Sequence, residues 1–317
     1  VNWYEINTRL QIVPTGGTIS ALRIELTQAP GAGKSYAFTL MLNGSASALT
    51  CTVSGTDTTA SDTSNSVAVV AGDTVEIRCT PSGTPASVRV RWSTIFAGTT
   101  SGESICLIQS PANLSATMYE PLQGLTGNFQ TEAYVKCPIP TAGTFKKLYI
   151  RGNAGPGAGK TATFTLRKNG ADTALTVSIS DLTSTGSDTS NTVTVAPGDL
   201  VDYKLTQTSG GIMSNAGIAI VFVSDVDGES LLFGGIGPNV SRPSTTVANY
   251  KSIPSGDDWT TTEVNSQSLI QKCVILKMFV SLDTAPGASK SYKFDLRIEG
   301  ADSGLSVTIS GTSTTGY

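Results

Sequence analysis

Apolar and polar residues alternate in short runs that recur along the chain. Tyr36, Phe38, Leu40 and Leu42 fall on one face of an extended segment, and the pattern returns at residues 163–166 and 292–298. Successive side chains of a strand point to opposite faces, so this period of two predicts half-buried β-strands. No helical period persists over a useful length, and an all-β fold is therefore expected.

Turn signals separate these runs. Asn43-Gly44 and Asn169-Gly170 predict two-residue hairpins because Asn and Gly both tolerate positive φ. The polar stretches 56–65 and 182–191 are expected to be loops. Four aspartates recur in the first two copies of the pattern and are expected to cap turns through backbone N–H groups, namely Asp62, Asp73, Asp188 and Asp199.

The order of these signals is repeated. Residues 29–34 read Ala-Pro-Gly-Ala-Gly-Lys, and close copies stand at residues 155–160 and 285–290. Lys34 and Lys160 are 126 positions apart, and Lys160 and Lys290 are 130 apart. A nearly fixed period predicts tandem domains of one fold.

The expected domains are residues 1–101 with the first segment missing, 102–227, and 228–317 with the last strands missing. A sandwich that lacks strands exposes unpaired edges. The chain is therefore expected either to continue past Tyr317 or to be completed by a strand from another subunit.

Composition narrows the range of functions that the chain can have. Charged residues make up 14% of the chain, below the roughly 25% of ordinary globular domains. Low charge with abundant Thr, Ser, Gly and Val is typical of extracellular or virion β-proteins. The net charge of −3 and the lack of a Lys/Arg run argue against nucleic acid, and no apolar run is long enough to predict a membrane span.

The sequence gives little support to the hypothesis of catalytic activity. The sequence has no histidine, which removes His-based hydrolases and His-ligated zinc. Residues 31–35 resemble a phosphate-binding loop, but the first glycine of that motif is missing and a strand follows instead of a helix. The acidic turn at residues 225–229 resembles a calcium loop, yet Thr99 and Ser101 replace its aspartates in the first copy. We expect no enzyme activity, cofactor or metal.

Cysteines and aromatic residues supply the remaining candidates. The five cysteines are interpreted mainly as small buried apolar residues, with a Cys51–Cys79 disulfide between adjacent strands as the alternative. Trp3, Phe129 and Trp259 occupy one position of the repeat. They are predicted to form an aromatic lid or interface at one end of each sandwich, and a sugar-stacking platform is the second interpretation.

Residues 146–222 resemble a family of repeated jelly-roll domains. The resemblance is carried by Pro156-Gly157-Ala158-Gly159-Lys160, by residues 164–173 and 175–180, and by Ala196-Pro197-Gly198-Asp199. The family includes the tumour-necrosis-factor-like heads of bacterial spore-coat hair fibres, and tandem repeats of phage and metagenomic surface proteins are similar. The resemblance implies structural, often trimeric, non-enzymatic domains. The covalent tandem linkage and the lack of a collagen-like stalk depart from the spore-coat type.

The sequence thus predicts tandem antiparallel jelly-roll sandwiches with a period of about 126 residues. The leading hypothesis is a structural protein of an extracellular, cell-surface or virion exterior that self-associates into a fibre, filament or decoration. The alternative is a multivalent module that binds a receptor or glycan through the predicted loops 56–65 and 182–191.

Overall fold

The chain is all-β, as its alternating pattern predicts. The computed structural model describes residues 11–109, 117–123, 131–211, 213, 215–234, 243–253, 259–270 and 272–317. Every strand pair within these ranges is antiparallel, and the helices found there are two three-residue 3₁₀ helices, Glu132–Tyr134 and Glu263–Asn265.

The strands fall into three consecutive groups, which we call the first, second and third units. The first unit contains β1 (Gln11–Ile12), β2 (Gly17–Leu26), β3 (Gly31–Leu42), β4 (Ser45–Gly55), β5 (Thr59–Val69), β6 (Thr74–Ser82) and β7 (Val90–Gly98). The second unit contains β8 (Glu103–Gln109), β9 (Met118–Glu120), β10 (Cys137–Pro138), β11 (Gly143–Arg151), β12 (Gly157–Lys168), β13 (Ala171–Asp181), β14 (Thr185–Val195), β15 (Leu200–Gln207) and β16 (Gly217–Ser224). The third unit contains β17 (Val280–Ser281), β18 (Gly287–Ile298), β19 (Ala301–Gly311) and β20 (Thr315–Gly316).

The second unit consists of two sheets with a shared apolar core. One sheet has the order β14-β11-β16-β8, and the other has the order β13-β12-β15-β10, with β9 also paired to β15. The inward residues of both sheets are fully buried, among them Phe145, Phe164, Tyr203 and Phe222. Strand β8 follows the first unit in sequence but pairs with β16 of the second unit, so the segment joining the units is itself structural.

The first unit has the same plan. Its sheets are β5-β2-β7 and β1-β6-β3-β4, and its core contains Leu22, Ile24, Phe38 and Leu49. Strands β3 and β12 begin at Gly31 and Gly157, which are 126 positions apart. The apolar alternation therefore places the same strands in both units.

The predicted hairpin turns are confirmed, and the Asn side chain of each turn is hydrogen-bonded to an aspartate in a neighbouring turn. Asn43 and Gly44 have φ of 50° and 79° between β3 and β4. The Asn43 side-chain amide donates to Asp73 Oδ1 at 2.8 Å, and Asp73 Oδ2 accepts from the Val70 N–H at 2.8 Å. The same contact between Asn169 and Asp199 is 2.7 Å.

The prediction of long polar loops at residues 56–65 and 182–191 is wrong. Strands β5 and β14 begin at Thr59 and Thr185, which leaves three-residue turns at 56–58 and 182–184. The strand was hidden because β5 carries a bulge, where its pairing with β2 shifts between Ser20 and Leu22. A bulge interrupts the two-residue alternation on which the sequence prediction depends.

Asp62 caps backbone N–H groups at this bulge. Its carboxylate accepts hydrogen bonds from the backbone N–H groups of Thr50, Ser64 and Asn65 and from the Asn65 side chain, at 2.9–3.1 Å. These bonds lower the pKa of Asp62 to about 2. Asp188 makes the equivalent bonds in the second unit, so both aspartates cap backbone groups, as expected.

The alternative of a Cys51–Cys79 disulfide is also wrong, because both thiols are free. Cys51 on β4 and Cys79 on β6 are both paired with Phe38, one from each side of β3. Two strand spacings separate them, roughly 9–10 Å, whereas a disulfide requires Cα atoms within roughly 7 Å. Cys51, Cys106 and Cys137 are buried, as the apolar interpretation predicts, but Cys273 is exposed.

Replacing Asp62 with Ala should destabilise the first unit by about 2 kcal/mol at pH 7, since hydrogen bonds to a charged acceptor are lost. The pKa of Asp62 is lowered in the folded state, so its stabilisation is present above the unfolded pKa of about 4. That stabilisation should disappear as the pH falls towards 2. Urea unfolding of both proteins across this pH range measures the difference. Asp57→Ala, in the exposed adjoining turn, is the control, and a pH-independent difference would contradict the assignment.

Candidate functional site: contacts between successive units

A buried carboxylate lies where the first and second units meet. Glu103 opens β8, and its side chain has no exposed surface. Its Oε1 lies 2.7 Å from Lys147 Nζ and 2.9 Å from Lys146 Nζ, while Thr15 Oγ1 donates to its Oε2 at 2.5 Å. We call Thr15, Glu103, Lys146 and Lys147 the first junction cluster.

Local backbone geometry positions each member of this cluster. Thr15 lies between β1 and β2, and the Glu103 N–H donates to Thr100 O in the turn before β8. Lys147 has φ of 55° at a bulge of β11, where the pairing with β14 shifts between Lys146 and Leu148. This conformation is uncommon for a residue with a side chain. Lys147 Nζ also donates to Thr15 Oγ1 at 3.0 Å. Lys147 on β11 therefore bonds both Thr15 of the first unit and Glu103 at the start of β8.

In this cluster, one carboxylate is paired with two lysines. Burial acts to raise the pKa of Glu103, but the hydrogen bonds from Lys147, Thr15 and Lys146 outweigh it, and the pKa lies below its usual value. Glu103 therefore remains ionised at neutral pH. Around it, β1 lies against β8, β11 and β16, so the ion pairs join two packed units.

The second and third units meet through the same residue types. Thr141 Oγ1 donates to Glu229 Oε2, and Lys277 Nζ lies 3.1 Å from Glu229 Oε1. Glu229 is 126 positions after Glu103, and Lys277 is 130 after Lys147, which matches the two spacings of the repeat. We call Thr141, Glu229 and Lys277 the second junction cluster. Leu276 replaces the second lysine there.

A second repeated cluster ties the linker after β8 onto the second unit. Arg167 on β12 is nearly buried, and its Nε donates to Glu132 Oε1 at 3.1 Å. The same guanidinium bonds Asp172 and lies over the Tyr119 ring, 5.8 Å from its centre. Because Tyr119 lies in β9 and Glu132 in the first 3₁₀ helix, Arg167 clamps two parts of the linker to the sheet.

The third unit repeats this clamp. Arg297 Nε donates to Glu263 Oε1 at 2.7 Å, and the guanidinium also bonds Asp302 and lies 5.8 Å from the centre of the Tyr250 ring. In the first unit the position of Arg167 is held by Met41, which is buried. The clamp is thus a property of the second and third units.

Asp202 is an unusual buried acid beneath the Arg167 clamp. It is fully buried on β15 opposite Arg167, and neither carboxyl oxygen finds a donor among the described residues. Burial raises the pKa of Asp202 to about 7, Glu132 adds to the rise, and Arg167 and Lys136 oppose it. A protonated Asp202 can donate a hydrogen bond to the Glu132 carboxylate, whereas an ionised one repels it.

The predicted aromatic lid can be assessed at one of its three positions. Trp259 is half-buried, and its ring centre lies 6.4 Å from that of Phe294 on β18. Lys251 Nζ lies 5.8 Å from the same ring. Trp3 and Phe129 fall outside the described residues, and the aromatic lid stays a prediction.

The described ranges contain no cluster of three or more Cys, Asp or Glu side chains that could hold a metal ion. Glu229, from the acidic turn that resembles a calcium loop, is engaged by Thr141 and Lys277. None of the helices in the described part of the chain has the length and apolar character needed to cross a bilayer.

The sequence contains a repeat signal for some of these residues and not for others. Glu103 and Glu229 were visible as a pair 126 positions apart, and Tyr119 and Tyr250 as recurring aromatics. The lysines and arginines were missed because they follow the 130-residue spacing and have no counterpart in the first unit. Aligning the second copy with the third alone would have revealed Arg167 with Arg297 and Lys147 with Lys277.

No protein-family model matches this sequence, and no curated protein matches it.

Substituting Glu103 with Gln should loosen the first junction and lower the free energy of unfolding by about 1–3 kcal/mol, because two lysines lose their charged acceptor. Small-angle X-ray scattering should show a broader distribution of distances between the first two units. Glu299→Gln changes an exposed glutamate in the turn between β18 and β19 and serves as the control. An unchanged scattering profile for Glu103→Gln would contradict the assignment.

Because the pKa of Asp202 is raised on folding, its contribution to the free energy of unfolding is fully present below the unfolded pKa of about 4. It should be lost as the pH rises towards 7, by at most about 4 kcal/mol. Asp202→Asn should remove this pH dependence of the second unit, as measured by thermal unfolding between pH 4 and pH 8. Asp225→Asn, in an exposed turn, should keep it. A variant that retains the decline would show that another group titrates.

Proposed function

We propose that this chain is a structural protein of an extracellular, cell-surface or virion exterior, and that it forms a row of tandem jelly-roll units. Such rows would assemble into a fibre, filament or decoration through packing or strand pairing. The junction clusters are the observation that carries the proposal. Glu103 bonds Thr15 of the first unit and Lys147 of the second unit, and Glu229 bonds Thr141 of the second unit and Lys277, which lies just before the third unit's first strand.

The pairing of the second unit supports the jelly-roll assignment. A double-sheet jelly roll has eight strands in two four-stranded sheets. Here β8, β16, β11 and β14 form one sheet, while the β9/β10 segment, β15, β12 and β13 form the other. In both sheets, strands that are far apart in sequence lie side by side. Two Greek keys produce this kind of strand order.

The joining strand supports a rigid row. Because β8 pairs with β16 over seven residue pairs, the segment after the first unit cannot act as a free tether. Glu103 at the start of β8 is bonded back to Thr15 at the same time. A row of units joined in this way has a defined direction and spacing, which a fibre requires.

The outer strand faces suit an exposed role. Thr161, Thr163 and Thr165 on β12 bond hydroxyl to hydroxyl with Ser180, Ser178 and Thr176 on β13, at 2.8–3.1 Å. Neutral hydroxyl pairs hold these side chains in place without exposing apolar surface. The loops expected for the receptor- or glycan-binding alternative are largely strands, since residues 59–65 lie in β5 and residues 185–191 lie in β14.

Negative-stain electron microscopy of the full chain, paired with an intact-mass measurement, tests the proposal. Rows of beads or filaments are expected, and Glu103→Gln should make them more curved. Glu299→Gln should leave them unchanged. Dispersed monomers without ordered contacts would contradict the proposal and favour the binding module.

A further inference from the structure

Asp202 lies on the outer face of its sheet and not in the apolar core. Along β15, Val201, Tyr203 and Leu205 belong to the core. The positions between them point the other way, because successive side chains of a strand alternate. Lys204, the next outward residue, is partly exposed, whereas Asp202 is fully buried. A segment that lies over the outer face of the sheet must therefore bury Asp202.

The covering segment is residues 131–136, which we call the flap. It contains the first 3₁₀ helix and continues directly into β10, which pairs with β15. Arg167 Nε on β12 lies 3.1 Å from Glu132 Oε1 of the flap, and Lys136 Nζ lies 3.7 Å from the same oxygen. The charges of Glu132 and Lys136 both act on Asp202, which places the flap over this carboxyl group.

Each element packed around Asp202 contributes a charged or titratable group. These groups are Glu132 and Lys136 of the flap, Arg167 of β12 and Cys137 of β10, with the Asp172–Lys204 ion pair beside them. The Arg167 guanidinium is engaged by Glu132 and Asp172. Neither oxygen of Asp202 has a donor among the described residues. An ionised Asp202 beneath the flap therefore faces the Glu132 carboxylate without a compensating hydrogen bond.

We propose that residues 131–136 are a pH-controlled flap, which is closed over Asp202 while that carboxyl group is protonated and lifts when it ionises. In the closed form, the carboxylic acid O–H donates to the Glu132 carboxylate. Ionisation removes this donor, places two like charges side by side and leaves a carboxylate without water. Lifting the flap restores the hydration of Asp202.

This movement goes beyond the proposed row of units. It takes place within the second unit, and it is expected whether or not rows form.

The direction of the effect follows from proton linkage. Burial under the flap raises the pKa of Asp202 to about 7, whereas a hydrated aspartate has a pKa of about 4. The closed form is therefore fully favoured below about pH 4, loosens as the pH rises towards 7 and changes little above that. Across this range, the opening equilibrium can rise by at most about tenfold per pH unit.

Hydrogen exchange followed by NMR, corrected for intrinsic rates, tests the inference on the full chain. The N–H groups of Tyr134 and Val135 report on the flap, since both are bonded within its 3₁₀ turn. Their protection should fall at least tenfold between pH 5 and pH 7. Asp202→Asn, whose amide can donate to Glu132 at every pH, should abolish this fall and raise the protection at pH 7.

Two further variants complete the comparison. Asp225→Asn removes an exposed carboxylate of the same unit and should retain the fall of the wild type. Glu132→Gln supplies an amide that can donate to an ionised Asp202, so the fall should shrink, although losing the ion pair with Arg167 lowers protection at both pH values. Circular dichroism verifies that the variants fold. A fall that persists in Asp202→Asn would overturn the inference.

Urea separates a lifting flap from unfolding of the whole unit. Lifting exposes little surface, so urea at about 1 M should leave exchange in the flap unchanged, whereas it should speed exchange in β12. At pH 7, the flap amides should also exchange at least tenfold faster than those of β12. Equal rates with the same urea dependence would show that Asp202 acts through the stability of the whole unit, and the flap would be wrong.

Discussion

A carboxylate that leaves water must receive hydrogen bonds from the protein, and this requirement shapes the molecule at three levels. Within a strand, Asp62 accepts the N–H groups that a bulge leaves unpaired. Between units, Glu103 accepts from a threonine of one unit and from lysines of the next. Beneath the Arg167 clamp, Asp202 has no donor among the described residues, and burial instead raises its pKa to about 7.

These carboxylates differ in what they respond to. Asp62 and Glu103 have lowered pKa values and stay ionised at neutral pH. Asp202 changes its charge near neutrality, beside the residues that hold the linker to the sheet. The hydrogen bonds of Asp62 at its bulge and of Glu103 at the first junction are therefore insensitive to pH near neutrality. The charge of Asp202, beside the linker, changes in that same range. In the first unit, Met41 stands in place of Arg167 and lies opposite Glu76, whose pKa burial also raises.

Much of the fold could be predicted from the chain alone. Alternation around Phe38 and Phe164 predicted the strands, and Asn43-Gly44 and Asn169-Gly170 predicted the hairpins between them. The prediction failed at residues 56–65 because a bulge breaks the alternation, so a strand of Ser, Thr and Asn looks like a loop. It also failed for Cys51 and Cys79, since strand order is not visible in local sequence. The junctions were not predicted, although Glu103 and Glu229 stand 126 positions apart in the sequence.

The sequence by itself determined which segments become strands, where they turn and how often the set repeats, because these depend on local backbone preferences and on residues a few positions apart. Tertiary structure alone decided that β8 joins the sheet of the following unit and that Lys147 meets Glu103 and Thr15. It also decided that Asp202 lies fully buried. Such contacts join residues tens to more than a hundred positions apart. They depend on how two sheets pack, and no local pattern records that distance.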